Sequence, residues 1–197
     1  PLENWIIFIK ERTIFYEKGG REIKIEELGD FQLIDLQASP DKEKICFVLK
    51  KDEIFYLKIY SLVQRRFLKE EKFDNKTMVH LIQWHKEGNS LYLALKDNGN
   101  KWQIKAYFIK GKTIDLLDKI SFDKERLISS VSPINNYLII PSCNGSCYFT
   151  IYNVKERRIK KEKILTNEDV WSSIIDFCYF DEQRDRIIYQ AIEKNDL

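Results

Sequence analysis

Glycine and proline are scarce in this chain of 197 residues, seven and four in all, which excludes collagen-like and Pro/Gly low-complexity readings. Long apolar runs are missing too. The longest, residues 5–9 and 137–141, fall far short of the roughly 20 residues that a membrane-spanning helix needs. No G-x-G-x-x-G, G-x-x-x-x-G-K-S/T or G-x-S-x-G occurs, so no phosphate-cradling loop and no serine-hydrolase elbow is written in the sequence, and no cofactor is assigned. An excess of one charge is also lacking. Lys+Arg 33 against Asp+Glu 31 leaves +2, with the signs interspersed, whereas a nucleic-acid-binding domain concentrates basic charge on one element or face. Only residues 155–163 are locally basic, and Glu156 and Glu162 interrupt them, which reads as a solvated outer strand. Four cysteines in a chain this long do not make a disulfide framework.

What is present is aromatic. Ten Tyr, twelve Phe and four Trp carry far more apolar surface than a disordered segment holds. The length suits one domain or two small ones, able to bury roughly 70% of the unfolded surface. The first residue is Pro1, not Met, so a targeting signal removed earlier would leave the same sequence; a cytoplasmic location is only the default.

The informative feature is repetition. Three segments share a tail of an aliphatic or small residue, Tyr, any residue, then an aliphatic: Ile59-Tyr60-Ser61-Leu62, Ala106-Tyr107-Phe108-Ile109 and Ile151-Tyr152-Asn153-Val154. Their tyrosines stand 47 and 45 residues apart, and a weaker copy, Ile14-Phe15-Tyr16-Glu17, lies 45 residues before the first. A turn marker recurs in antiphase, with spacings of 46, 47 and 48 from Pro40 to Lys86, Pro133 and Asp181, and an apolar run follows each.

Within each period the pattern reads as four short strands rich in Ile, Val, Phe and Tyr, separated by turn-forming clusters. One repeat gives 31–37, 44–50, 54–62 and 66–73; the next gives 79–84, 90–96, 102–109 and 113–120. Segment 113–131 also fits a helix, because Ile114, Leu117 and Ile120 recur at three-residue spacing, but the repeat demands a strand there. Asn98-Gly99 and Asn144-Gly145 are expected to form tight hairpin turns at positive φ.

Four antiparallel strands in about 47 residues is the dimension of one β-propeller blade, a sheet whose two apolar faces only neighbouring blades can cover. The expected class is therefore all-β, a propeller of four-stranded antiparallel blades. Residues 29–75, 76–123 and 124–167 make three complete blades, and 1–28 and 168–197 make partial ones. An immunoglobulin-type sandwich explains alternating strands but not the period. Three strands at the start and two at the end either close a four-bladed ring with one strand to spare or belong to a larger propeller. The surplus strand and the absent Met favour the larger one.

The motifs resemble those of the WD-repeat and Tol-type propeller families. Ser132-Pro133-Ile134-Asn135-Asn136 and Ala38-Ser39-Pro40-Asp41 are similar to the Ser-Pro-Asp-Gly turn between the first two strands of such blades. Ile59-Tyr60-Ser61-Leu62 and Ile151-Tyr152-Asn153-Val154 occupy the place of the Trp-Asp dipeptide. Neither Gly-His nor Trp-Asp occurs in the chain. The resemblance implies a non-catalytic interaction scaffold whose partner is a protein or the remaining blades of a larger propeller. The alternatives are the propeller of a peptidase or glycosidase, or an extracytoplasmic ligand-binding propeller.

Four residues stand out as candidates. Cys143 and Cys147 flank a three-residue turn; they remain thiols, or bridge if their Cα atoms lie within about 7 Å. Asp35 and Asp176 each sit in an apolar first strand, the one that would line a central channel, and need water or a donor there. Cys46 and Cys178 read as small buried hydrophobes. His80 and His85, five apart, are expected as a half-buried strand residue and a turn residue rather than a shared metal site. Asn75-Lys76-Thr77 and Asn144-Gly145-Ser146 match the glycosylation sequon at a frequency chance supplies.

Overall fold

The computed structural model describes residues 5–99, 101–110, 113–122, 127–128, 132–134, 137–144, 146–164, 174–181 and 186–192. Every regular element among them is a strand. In chain order they are β1 (Trp5–Lys10), β2 (Thr13–Lys18), β3 (Arg21–Glu27), β4 (Gln32–Ala38), β5 (Lys44–Lys51), β6 (Ile54–Ser61), β7 (Arg66–Lys72), β8 (Thr77–Trp84), β9 (Ser90–Asp97), β10 (Trp102–Lys110) and β11 (Thr113–Phe122). Then follow β12 (Leu127–Ile128), β13 (Ser132–Ile134), β14 (Tyr137–Asn144), β15 (Ser146–Asn153), β16 (Arg158–Ile164), β17 (Ile174–Asp181) and β18 (Arg186–Ile192). They form antiparallel sheets in sequence order: β1-β2-β3, β4-β5-β6-β7, β8-β9-β10-β11, a sheet of β14-β15-β16 with β12 and β13 both on β14, and β17-β18. The first strand of the fourth blade is thus divided into two short pieces. The helical alternative for 113–131 is resolved as a strand across residues 113–122.

Two compact units divide the chain. One holds Pro1–Ala38 and Lys42–Asn75; the other holds Ser39–Asp41 and Lys76–Leu197. In each, the second strand of a blade is the buried centre. Six consecutive residues of β5 and six of β9 are buried, as continuous apolar strands covered on both faces must be. In the first unit Ile45, Phe47 and Leu49 of β5 pack against Ile14, Tyr16 and Ile25 of the preceding sheet. Lys58 of β6 adds an ion pair to Glu26 of β3 at 2.7 Å, with both side chains mostly buried. In the second unit Tyr92 and Ala94 of β9, with Ile104 and Ala106 of β10, share one core with Leu138 and Ile140 of β14.

The repeated tyrosines have a common place in this framework. Tyr60 lies opposite Ile45, Tyr107 opposite Leu91 and Tyr152 opposite Leu138, with Phe8 opposite Phe15 in the first sheet. The pairing with the fourth strand slips by one residue at each of them, between Ile59/Tyr60, Ala106/Tyr107, Ile151/Tyr152 and Ile14/Phe15. Each slip is a β-bulge that leaves an extra residue on the outer strand and increases the local twist. The marker read from the sequence is therefore the inner side of a bulge repeated once per blade.

Hairpin chemistry departs from expectation. Asn98 and Gly99 do not take positive φ; that turn is closed by the Asp97 N–H donating to Lys101 O at 3.0 Å and the Lys101 N–H donating to Asp97 Oδ1 at 2.8 Å. Gly145 lies outside the described residues. The two-residue turns with both φ positive are instead Glu11-Arg12, Gly19-Gly20 and Asp52-Glu53. Ser132-Pro133 is not a turn either: it pairs with Ile139 and Leu138 as the short edge strand β13, a place where proline's missing N–H is tolerated.

Asp52 and Glu53, at φ 50° and 63°, hold a conformation that costs residues with a Cβ and suits Asn-Gly. Replacing the pair by Asn-Gly is expected to stabilise the chain by about 1 kcal/mol, raising the melting midpoint by about 2–4 °C. The lost Lys50–Glu53 ion pair, 2.9 Å long with Glu53 exposed, offsets little of this. An unchanged midpoint would show that the turn is unstrained.

Candidate interaction site

The turns joining third and fourth strands are built to one plan in two blades. Ser61 and Asn153, both 4% exposed, follow the marker tyrosines. Ser61 Oγ accepts the N–H of Gln64 at 3.1 Å, and Asn153 Oδ1 accepts the N–H of Glu156 at 2.9 Å. Arg65 and Arg157 then take φ 52° and 55°. Finally Arg66 Nε donates to Gln64 Oε1 at 3.0 Å, and Arg158 Nε to Glu156 Oε2 at 2.7 Å. A short polar side chain is needed there because it satisfies the backbone of a tight reversal locally. These frames hold four exposed arginines, and Val63 is 70% exposed beside two of them. The third blade has Phe108 in place of Ser or Asn, and its turn includes undescribed residues. Ser61→Ala and Asn153→Ala should each destabilise by about 1 kcal/mol in urea unfolding, because the turn N–H of Gln64 or Glu156 loses its acceptor. Retention of full stability by both would remove the common frame.

In the second unit a Ser-Pro-Asp turn meets the turn of the next repeat. Ser39 donates its hydroxyl to Asp41 Oδ1, and the Asp41 carboxylate lies where a Cβ on Gly88 would stand, 2.4 Å from Cγ. Gly88, at φ +69°, donates its N–H to His85 O at 2.8 Å. His85 is 6% exposed, and its Nδ1 accepts the N–H of Glu87 at 3.3 Å, so that nitrogen carries no proton. Its assignment to the turn holds. Among the described residues no group of three or more His, Cys, Asp or Glu is placed to hold a metal ion.

The first strands carry a second repeated bulge. Pairing with the second strand slips between Leu33/Asp35, Val79/Leu81 and Ile175/Phe177, which makes Ile34, His80 and Asp176 the inserted residues. Asp35 and Asp176, read together in the sequence, are thus one position out of phase. Asp35 is half-buried and satisfied within its own strand. Its Oδ1 accepts the N–H of Leu36 at 2.7 Å, and its Oδ2 accepts Gln37 Nε2 at 3.1 Å. Burial, then the Asp35 charge, pushes the Cys46 thiol well up, so this buried cysteine is unreactive. The side chains of Asp176, Cys178, Cys143 and Cys147 lie outside the described residues, but the backbone register sets Cys143 directly opposite Cys147, the placement a cross-strand bridge requires.

His80 is exposed rather than half-buried, because the bulge turns it outward. Its ring meets Trp102 edge-on at 4.8 Å and 83°, with Lys96 Nζ 5.6 Å from the centre of the same indole. Desolvation against the indole, then the Lys96 charge, lowers its pKa below 6.5. The unfolded chain therefore binds this proton more tightly. Stability present above pH 6.5 is lost as pH falls toward the folded value. Melting midpoints between pH 7.5 and 5.5 should fall further in the native chain than in His80→Gln; equal slopes would contradict this.

An open groove of about 380 Å³ in the first unit is lined by Asp30, Gln32, Lys50, Lys51, Asp52 and Glu53. Lys51 lies 3.2 Å from Asp30 and Lys50 2.9 Å from Glu53, which leaves Asp52 as an excess acidic residue in the lining.

No family model and no curated protein sequence matches the chain. Solved structures do. The β-propeller domain of Cps50 (Swd1) from Myceliophteria thermophila is 9% identical with a TM-score of 0.54, over 93% of this chain and 68% of that one. A chain of the mitotic checkpoint complex is 11% identical with a TM-score of 0.58, over 94% of this chain and 53% of that one. A protein from Bacteroides ovatus assigned as a dipeptidyl aminopeptidase IV is 11% identical with a TM-score of 0.61, over 98% of this chain but 37% of its own length. At these identities the likeness concerns fold alone. With four-stranded antiparallel sheets following one another at a period near 47 residues, the chain has the β-propeller fold.

Proposed function

We propose that this chain is the propeller portion of a non-catalytic protein-interaction scaffold. The observation that carries the reading is the pair of identical turn frames. A buried Ser61 or Asn153 fixes the same backbone in two blades, and both frames display a pair of arginines, Arg65 and Arg66 in one and Arg157 and Arg158 in the other, with Val63 in the place of Lys155. A constant frame that displays exposed side chains is how repeat folds present binding surfaces. Exposed arginines suit a partner with an acidic surface, since the guanidinium pairs carboxylates in bidentate geometry. That one neighbour belongs to the mitotic checkpoint complex agrees with this class of role.

The test compares partners cross-linked in cells to the full-length protein with those of an Arg65/Arg66/Arg157/Arg158→Ser variant of unchanged melting midpoint. A partner lost at least tenfold in the variant supports the scaffold; an unchanged set overturns it. The second reading is a propeller that shapes access to a peptidase domain, favoured by the 98% coverage against the Bacteroides ovatus protein. Release of dipeptides from peptide substrates by the full-length protein would decide for it.

A further inference from the structure

Of the two arginine frames, the one in the first unit keeps its charge. Arg158 Nε is bound to a carboxylate, Glu156 Oε2 at 2.7 Å, whereas Arg66 Nε is bound to a neutral amide oxygen, Gln64 Oε1 at 3.0 Å. The Arg66 guanidinium is therefore held in place without being neutralised. Arg65 beside it is exposed at φ 52°, and among the described residues neither of these arginines pairs with a carboxylate. More cations come from the preceding sheet, which shares a core with this one. Tyr16 of β2 donates its hydroxyl to Leu62 O at 3.5 Å, at the start of the same turn. Lys18 follows on the same face of β2, opposite Arg21 in its hairpin, and both are exposed. Carboxylates next to these cations are engaged elsewhere. Glu22 lies 3.7 Å from Lys10 Nζ, and Glu43, whose carbonyl accepts the Leu62 N–H, has its carboxylate 3.8 Å from Lys44 Nζ. Val63, 70% exposed, is the exposed apolar residue of the turn.

We propose that this end of the first unit binds a short acidic peptide segment in which carboxylates flank an apolar residue. The carboxylates pair with Arg65, Arg66, Arg21 and Lys18, and the apolar side chain covers Val63. The inference rests on the scaffold reading and narrows it to one turn surface and one class of ligand. Arginine suits carboxylates because its planar fork takes both oxygens, and a guanidinium already positioned by Gln64 loses less side-chain entropy on pairing. A nucleic acid fits less well. It calls for a basic stripe with many phosphate contacts, whereas a few cations around an exposed valine match a segment that mixes charge with an apolar side chain.

The test uses the full 197-residue chain and the end-blocked peptide Asp-Glu-Leu-Asp-Glu, read by titration calorimetry and by the Nε–H resonances of the arginines. Saturable binding that shifts Arg21, Arg65 and Arg66 and leaves Arg158 unmoved is the expected result. Gln64→Glu gives this turn the neutralised guanidinium of the other frame and should weaken binding at least tenfold at an unchanged melting midpoint. Arg65→Ser should weaken it as much, whereas Lys101→Ser, at an exposed turn of the second unit, should stay within twofold. The peptide Asp-Glu-Ser-Asp-Glu should bind at least threefold more weakly, and Asn-Gln-Leu-Asn-Gln not at all. Absence of saturable binding overturns the proposal, as does binding that Gln64→Glu and Arg65→Ser leave unchanged. Tighter binding of pentathymidylate, which carries the same number of negative charges, assigns the surface to nucleic acid and also overturns it. The scaffold reading is judged separately, by the cross-linked partners of the four-arginine variant: a partner lost there, with no peptide bound here, removes this inference alone.

Discussion

Phe47→Ala destabilises the chain by about 3–5 kcal/mol, the cost of deleting a fully buried phenylalanine from a core that closes only partly around the cavity. Phe47 is 0% exposed, at the centre of β5 between Leu36 of β4 and Lys58 of β6. It shares a core with Ile14 and Tyr16 of the neighbouring sheet, and meets the ring of Phe67 at 6.1 Å. The loss therefore opens a hole inside a sheet and between two sheets. Val63→Ala, at a site 70% exposed in a turn, is the control and should stay within about 0.5 kcal/mol. Urea unfolding followed by tryptophan fluorescence reads both. A Phe47→Ala cost below about 1.5 kcal/mol would mean that β5 is not covered on both faces.

Gly88→Ala costs about 2–3 kcal/mol, of which the left-handed backbone accounts for about 1–2. Gly88 sits at φ +69°, and its new Cβ would fall 2.4–2.8 Å from the atoms of the Asp41 carboxylate. That carboxylate is held by the Ser39 hydroxyl, so it gives way only by breaking a bond. Asp41→Ala combined with Gly88→Ala separates the contributions: the contact part is relieved and the backbone part remains, leaving a coupling of about 1 kcal/mol in the double-mutant cycle. A neutral Gly88→Ala would refute both the φ and the contact.

The strands were legible because two-residue apolar alternation and turn clusters are local properties of a sequence. Thus β5 begins at Lys44 and β9 at Ser90, as expected. The bulges were not legible. An inserted residue is specified by the pairing of two strands, and it leaves the apolar content of each strand unchanged. For that reason Asp35 and Asp176, both five residues before their turn markers, read as equivalents although only Asp176 is the inserted residue.

Tight turns misled in the opposite way. Asn98-Gly99 carried the strongest local signal, yet an Asp97–Lys101 clasp forms there instead. Glu11-Arg12 carries no signal at all. Arg12 is held at φ 58° because its guanidinium donates to the carbonyls of Gly29, at 2.6 and 2.9 Å, and Phe31, at 3.1 Å. Tertiary bonds of that kind cannot be read from a dipeptide. The role of Ser61 and Asn153 was half legible: the position was marked by the repeat, and its purpose, holding a turn, needed the hydrogen bonds.

Cross-strand backbone NOEs in the second, third and fourth repeats test the central claim most directly. Successive four-stranded blades require that each strand pair with its neighbours in sequence. The register predicts Ile45 near Tyr60, Leu91 near Tyr107 and Leu138 near Tyr152, with Phe47 also opposite Leu36. A two-sheet sandwich would instead pair β5 or β9 with a strand from another repeat, and NOEs linking those distant segments would contradict the blade architecture.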